Sequence, residues 1–481
     1  MSKKEPLFEL IHSLSVPEKG YFKKNCGPAD QVYVKVFDLI NKQTSYNEKE
    51  ILKAIRNESV SKNFSVSKRY LYDSILSVLI RYQSQKNIES QLNIDIESIK
   101  ILFNKGLYDQ TEKLLSRAKE VARSYELFHH LLQLLAFEYS FNQFKMRDSQ
   151  QLFEEEEKIL EQLQQVSAGN KWYLQVLAWV QKNDRAKSQQ EITEITALFN
   201  SNLSKVDDRT FKGINTFHAA NTIYNYSIGN MNEATNAKIR QLETYIANPK
   251  LREVNYKNFL LVYGNVLSLI YNNGDQEKFK EYYSKFFELK SNNNNQIILE
   301  KEIEFAHGVG LFKLNKDYKG GTAFLKKIEP ELKTLEHKLS LIRVSDIQFN
   351  AAVMFFWTRD LRSSLKWLNK ILQNEKVESR QYLYCYAKIF ELVIHIELGN
   401  TQLLLSLSKS TFRYLYQRNK VHDFENIILT YLKKFIKSET LHQKKLFNEL
   451  QQELSELAKD PIRSKAMDHF DYINWLEEKT V

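Results

Sequence analysis

The chain has 481 residues, 43% hydrophobic and 12% aromatic, which supplies ample core material and excludes bulk disorder. Thirteen glycines and six prolines are too few for a many-turned sheet protein, so long helices with short connections are expected. Two distant cysteines, Cys26 and Cys385, make neither a disulfide framework nor a thiolate metal cluster, and the net charge of +10 allows an anionic partner without requiring one.

Residues 1–90 read as an N-terminal helical capping domain, with helices expected around 5–14, 16–25, 30–42, 47–57 and 66–86. Glu9 and His12 interrupt the first apolar patch and no small-residue cleavage site follows, so no signal peptide is expected. No stretch approaches the ~20 apolar residues of a membrane span. The expected location is therefore cytoplasmic, with no membrane contact. In the last of these helices Leu71, Ile75, Val78, Leu79 and Tyr82 make an apolar stripe. Residues 47–86 also have a helix-turn-helix reading: a short helix, a turn at Asn57, then a longer helix led by Lys68 and Arg69. Lys62, Lys68, Arg69, Arg81 and Lys86 would then supply phosphate contacts. The alternative is an amphipathic cap with solvated lysines.

From residue 91 a unit recurs: an apolar helix, a short Gly/Asn/Asp turn, then an amphipathic helix. The clearest turns are at Gly106, Gly229, Gly274, Lys316–Asp317, Arg359–Asp360 and Gly399, with weaker ones at Arg147–Asp148, Asn183–Asp184 and Ser438. Their spacing, roughly 38 to 45 residues, is that of helical-hairpin repeats. After Gly274 the apolar positions Phe279, Tyr282, Tyr283, Phe286 and Leu289 share one helical face; after Asp360, Leu361, Leu365, Leu368 and Leu372 do the same. The helices before the turns, such as FLLVYGNVLSLIYNN, are apolar all round and suit burial between neighbours. The acidic run EEEEK at 154–158 reads as a solvated helix face.

The segment NNGDQEKFKEYYSKFFELKSNN resembles the turn and second helix of a tetratricopeptide repeat, with Gly274, Asp275, Tyr282, Tyr283 and Leu289 where that pattern has them. GLYDQTEKLLSRAKEVA and RDLRSSLKWLNKIL are similar to it, and the likeness covers about residues 95–450. The unit is longer than the family's usual one, and larger residues often replace its small ones. SVSKRYLYDSILSVLIRY and FDYINWLEE resemble segments of large helical proteins of Bacteroidota, a likeness that brings no activity with it. The resemblance implies an all-α fold: a right-handed α-α superhelix of hairpins over 91–450, with C-terminal capping helices at 451–481. It also implies a protein or peptide partner, bound on a concave surface.

Chemistry-bearing motifs are sparse. Glu126-x-x-His129 and Glu439-x-x-His442 have the spacing of di-iron bundles but lie far apart in a linear array, and Glu391 and His395 read as a surface or packed pair. Gly308 and Gly310 read as positions of close helix packing. Neither phosphate-loop glycine motifs nor nucleophile motifs occur, and no cofactor or enzymatic activity is expected. The strongest local signal is basic: Lys409, Arg413, Arg418, Lys420, Lys433, Lys434, Lys437, Lys444 and Lys445, interleaved with Phe412, Tyr414, Tyr416 and Tyr431. Two functions stay open. One is a scaffold that binds a protein or peptide partner with acidic character; the other is a regulator that binds nucleic acid through residues 1–90.

Overall fold

The computed structural model describes all residues except 1–4, 26–30, 57, 85–86, 184–185, 187, 202, 204–205, 207–208, 290–295, 375–380, 419–422, 439, 461–466, 468 and 481. Among the described residues there are twenty-four α-helices and no strand. No described helix is long and apolar enough to cross a membrane. Two compact units divide the chain, Met1–Gln164 and Gln165–Val481. The division falls inside one 34-residue helix, Gln150–Asn183.

The first unit opens with the helices Pro6–Ser13, Val16–Asn25, Gln31–Lys42 and Glu48–Ala54, followed by a one-turn 3₁₀ segment at Ser59–Ser61 and the long helix Phe64–Ser84. Start signals in the sequence fix these bounds. Pro6 stands at the first helical position, Glu18 accepts from both the amide and the hydroxyl of Ser15, and Asn47 accepts from the Glu50 amide. Their apolar faces meet in one core, with Ile11, Phe22, Phe37, Ile40, Leu71 and Ile75 all fully enclosed. The helices Ile88–Asn104, Tyr108–Ser124 and Phe128–Lys145 follow. Here the acidic run is not a purely solvated face. Glu155 takes Lys119 at 3.3 Å and is also paired with Arg123, Lys119 additionally pairs with Glu138, and Glu156 accepts from the Tyr139 hydroxyl at 2.8 Å. Glu154 and Glu157 are exposed as expected.

The recurrent turn has a physical construction. Gly106, Gly229, Gly274 and Gly399 are left-handed (φ 70–81°), and so are Lys316 (53°) and Arg359 (62°) at two of the turns lacking glycine. The next residue's amide then reaches back to a carbonyl five positions earlier: Asn230 to Asn225, Asp317 to Phe312, Asp360 to Phe355 and Asn400 to His395. In three of these turns the same Asn or Asp side chain accepts from the amide three residues on: Glu233, Gly320 and Ser363. One pair of residues thus ends one helix and starts the next.

Within the second unit the helices pack chiefly against the next one or two in chain order. Helices before the turns are buried over most of their surface: in Leu341–Trp357, all of Ala351–Phe356 is buried. Helices after the turns bury one stripe: Leu361–Leu372 encloses Ser364, Trp367, Leu368 and Ile371, while Leu361, Leu365 and Leu372 lie at the margin. Gly308, in Ile297–Leu314, permits close packing as expected: an added Cβ would stand 2.6 Å from the Phe324 ring and 2.7 Å from the Tyr283 hydroxyl. The same test at Gly310 meets only ordinary contact, 3.6 Å from Tyr271.

One segment breaks the neighbour-only order. The last helix, Tyr472–Thr480, and the residues before it return to hairpin ends far back in the chain. Lys313 donates to the His469 carbonyl at 3.0 Å, Lys316 pairs with Asp471 at 3.3 Å, and Phe470 sits 4.7 Å from the Phe390 ring. Glu397, its carboxylate only 6% exposed, accepts from the Trp475 indole at 2.8 Å and pairs with Lys479 at 2.6 Å and Arg359 at 3.0 Å.

A basic aromatic face as the candidate functional site

Three successive helices, Gln381–Glu397, Thr401–Gln417 and Asp423–Lys437, carry the basic segment. The middle helix exposes Lys409, Arg413 and Tyr416, residues spaced to share one stripe; Tyr416 is 69% exposed. Its flanks meet the two neighbours. On one side Tyr414 lies 5.1 Å from Tyr384, Lys388 stands 5.3 Å from both ring centres, and the Arg418 guanidinium covers Tyr414 at 3.8 Å. On the other side Lys433 sits 4.1 Å over Phe412, which stacks on Tyr416. Lys434 lies 4.5 Å over Tyr431, whose hydroxyl donates to Glu453 at 2.8 Å.

Some cations of this unit find carboxylates, as Lys301 does with Glu304 and Glu331 and Arg359 with Glu397 and Glu478. Lys388, Lys409, Arg413, Lys433 and Lys434 make no ion pair with any described carboxylate; three of the five rest on ring faces instead. Rings hold the cations in place without neutralising them, leaving the charge available to an incoming anion. The carboxyl of Glu391, one turn from Lys388, is pushed above the ordinary carboxylate range by burial, against the pull of Lys388. Its turn-neighbour His395 is buried, is held below the usual histidine range by that burial, and meets Asn400 at 3.1 Å, so it is a packed residue.

The structure therefore brings Arg413, Arg418, Lys433 and Lys434 to one face, and adds Lys388 and Tyr384, which the sequence reading missed because Lys388 is the one charge in the run YLYCYAKIF. Lys420 lies outside the described residues. The N-terminal set is dispersed. Lys68 is taken up internally: it pairs with Glu48 at 2.8 Å and Glu5 at 3.3 Å and meets the Tyr46 hydroxyl at 3.3 Å. Burial alone would lower its pKa, but the bonds to Glu48 and Tyr46 outweigh this and raise it. Lys62, Arg69 and Arg81 are exposed; Asn57 and Lys86 lie outside the described residues. The exposed side of Phe64–Ser84 carries Val66, Leu76 and Ile80, a composition foreign to a helix that reads base edges.

Glu126 occupies a left-handed turn (φ 49°), off the helix that bears His129, so the two do not project from one helical face; Glu439 lies outside the described residues. Among the described residues no group of three or more His, Cys, Asp or Glu could hold a metal ion. Cys385 is buried, and Cys26 lies outside the described residues. No protein-family model matches the chain, and comparison with curated proteins finds no match.

Proposed function

We propose that this chain is a non-catalytic cytoplasmic scaffold, its hairpins wound as a right-handed superhelix of the tetratricopeptide kind, and that it docks an acidic peptide segment on the face formed by residues 381–437. The observation carrying this reading is the set of ring-seated cations, Lys388, Lys433 and Lys434, that lack a carboxylate partner. Carboxylates of a bound segment would complete these pairs, and exposed Tyr416 would supply apolar contact beside them. The recurrent glycine–Asx turn and the packing of each helix on its chain neighbours support the winding. Regulation through nucleic acid is less well supported, because Lys68 is already committed to Glu5 and Glu48.

The test uses the full chain and a fluorescent Glu-rich peptide, followed by anisotropy at low salt. The double variant Lys409→Glu/Arg413→Glu is expected to weaken binding at least about tenfold, since two exposed attractions become repulsions. Equal binding by wild type and variant would overturn the assignment of this face. Tighter binding of a single-stranded RNA of the same charge than of the peptide would overturn the peptide reading instead.

A further inference from the structure

The helix Phe64–Ser84 turns Leu71, Ile75 and Val78 into the first unit's core, yet its outer side is not the polar face expected of a surface helix. Val66 is 61% exposed, Leu76 36% and Ile80 66%. Between them stand Arg69 and Asp73, both exposed, and no ion pair joins either of them to a described residue. The positions 66, 69, 73, 76 and 80 are separated by three, four, three and four residues. That is the spacing of a coiled-coil seam, laid on the side of the helix that the chain itself leaves uncovered.

The two charges determine how such a seam can be paired. Run parallel to a copy of itself, the helix would set Arg69 against Arg69 and Asp73 against Asp73. Run antiparallel about a two-fold axis at the level of Leu71, it sets Arg69 against Asp73 of the second copy and Asp73 against Arg69 of the second copy. The same register sets Val66 against Leu76 of the second copy, and the reverse, and leaves Ile80 at the end of the contact, level with position 62 of the second copy. Charge matching and apolar matching thus select one orientation and one register, the role polar residues play in such seams. We infer that two copies of this chain associate through antiparallel contact of the outer faces of Phe64–Ser84. The inference is independent of the peptide-binding reading, which concerns other helices.

The experiment is sedimentation equilibrium of the full chain at about 100 µM, since a contact of about three helical turns belongs with weak associations. Wild type is expected to approach twice the chain mass of 56.9 kDa. Arg69→Asp and Asp73→Arg, each alone, are expected to stay near the single-chain mass with unchanged helical circular dichroism. Mixed one to one, the two variants are expected to recover the doubled mass, because each then meets its opposite charge. A wild type that stays at the single-chain mass, or single variants that associate as wild type does, would overturn the inference.

Discussion

At the scale of single residues, the most telling group is one whose charge the fold excludes. His307 is buried in Ile297–Leu314, its Nε2 beside the backbone of Gly264 and its ring 6.1 Å from that of Phe279. Burial, then the positive charge of Arg343, pushes its pKa down to about 3. The folded chain therefore holds it neutral while the unfolded chain protonates it below about 6.5. Its contribution is fully present above pH 6.5 and is lost as pH falls from there toward 3, because the unfolded state then binds the extra proton. By pH 4 the loss amounts to about 3 kcal/mol. Urea unfolding should show wild-type stability dropping by that much more than His307→Phe between pH 7 and pH 4; parallel pH profiles would mean that the ring is solvated. Backbone cost follows the same logic. Met146 holds a left-handed φ of 53° at 96% exposure, whereas Arg359 at 62° is compensated by its ion pairs to Glu397 and Glu478.

At the scale of elements, the C-terminal helix and its three-cornered attachment to Glu397 matter most. Trp475 is wholly enclosed, and its indole bond ends on a carboxylate shared with Arg359 and Lys479. Trp475→Ala should cost about 3–5 kcal/mol by emptying that site, and Glu397→Gln a smaller amount, about 1–3 kcal/mol, since the amide still accepts from the indole. Hydrogen exchange should quicken in Leu341–Trp357 and Gln381–Glu397 in both variants; unchanged exchange there would show the helix to be an appendage. This attachment was not legible in the sequence, because it joins residues 78 apart (Glu397 and Trp475) and follows no period. The turns were legible, since glycine or an Asx cap is written at each one. Two turns depart from this: at Glu126 the Leu127 amide reaches the Ala122 carbonyl at 2.8 Å, and before Leu341 the cap is Ser340. The interval between the turns near 148 and 183 holds one continuous helix rather than a hairpin. Its only glycine, Gly169, costs a helix about 1 kcal/mol and does not end it. Likewise Arg413 and Lys433 could be picked out by composition, but Lys388 could not, because only tertiary packing lays it between Tyr384 and Tyr414.

At the scale of the whole molecule, the net charge of +10 is distributed so that one face repels itself. Lys409 and Arg413 stand one helical turn apart, both exposed, an arrangement that weakens a helix where the opposite charge order would strengthen it. Under the proposed docking, carboxylates of the bound segment relieve this repulsion; the alternative is that the two cations serve only the fold. Lys409→Glu separates the two explanations. It replaces a like-charge pair with Glu four residues before Arg, the favourable order, and should raise the melting temperature by about 1–3 °C at low salt. The gain should shrink in ~0.5 M salt, where screening acts within a few ångströms. The same variant should bind the acidic peptide more weakly. A variant less stable than wild type at both salt concentrations would make these cations part of the fold's support, and the face would lose its standing as a docking surface.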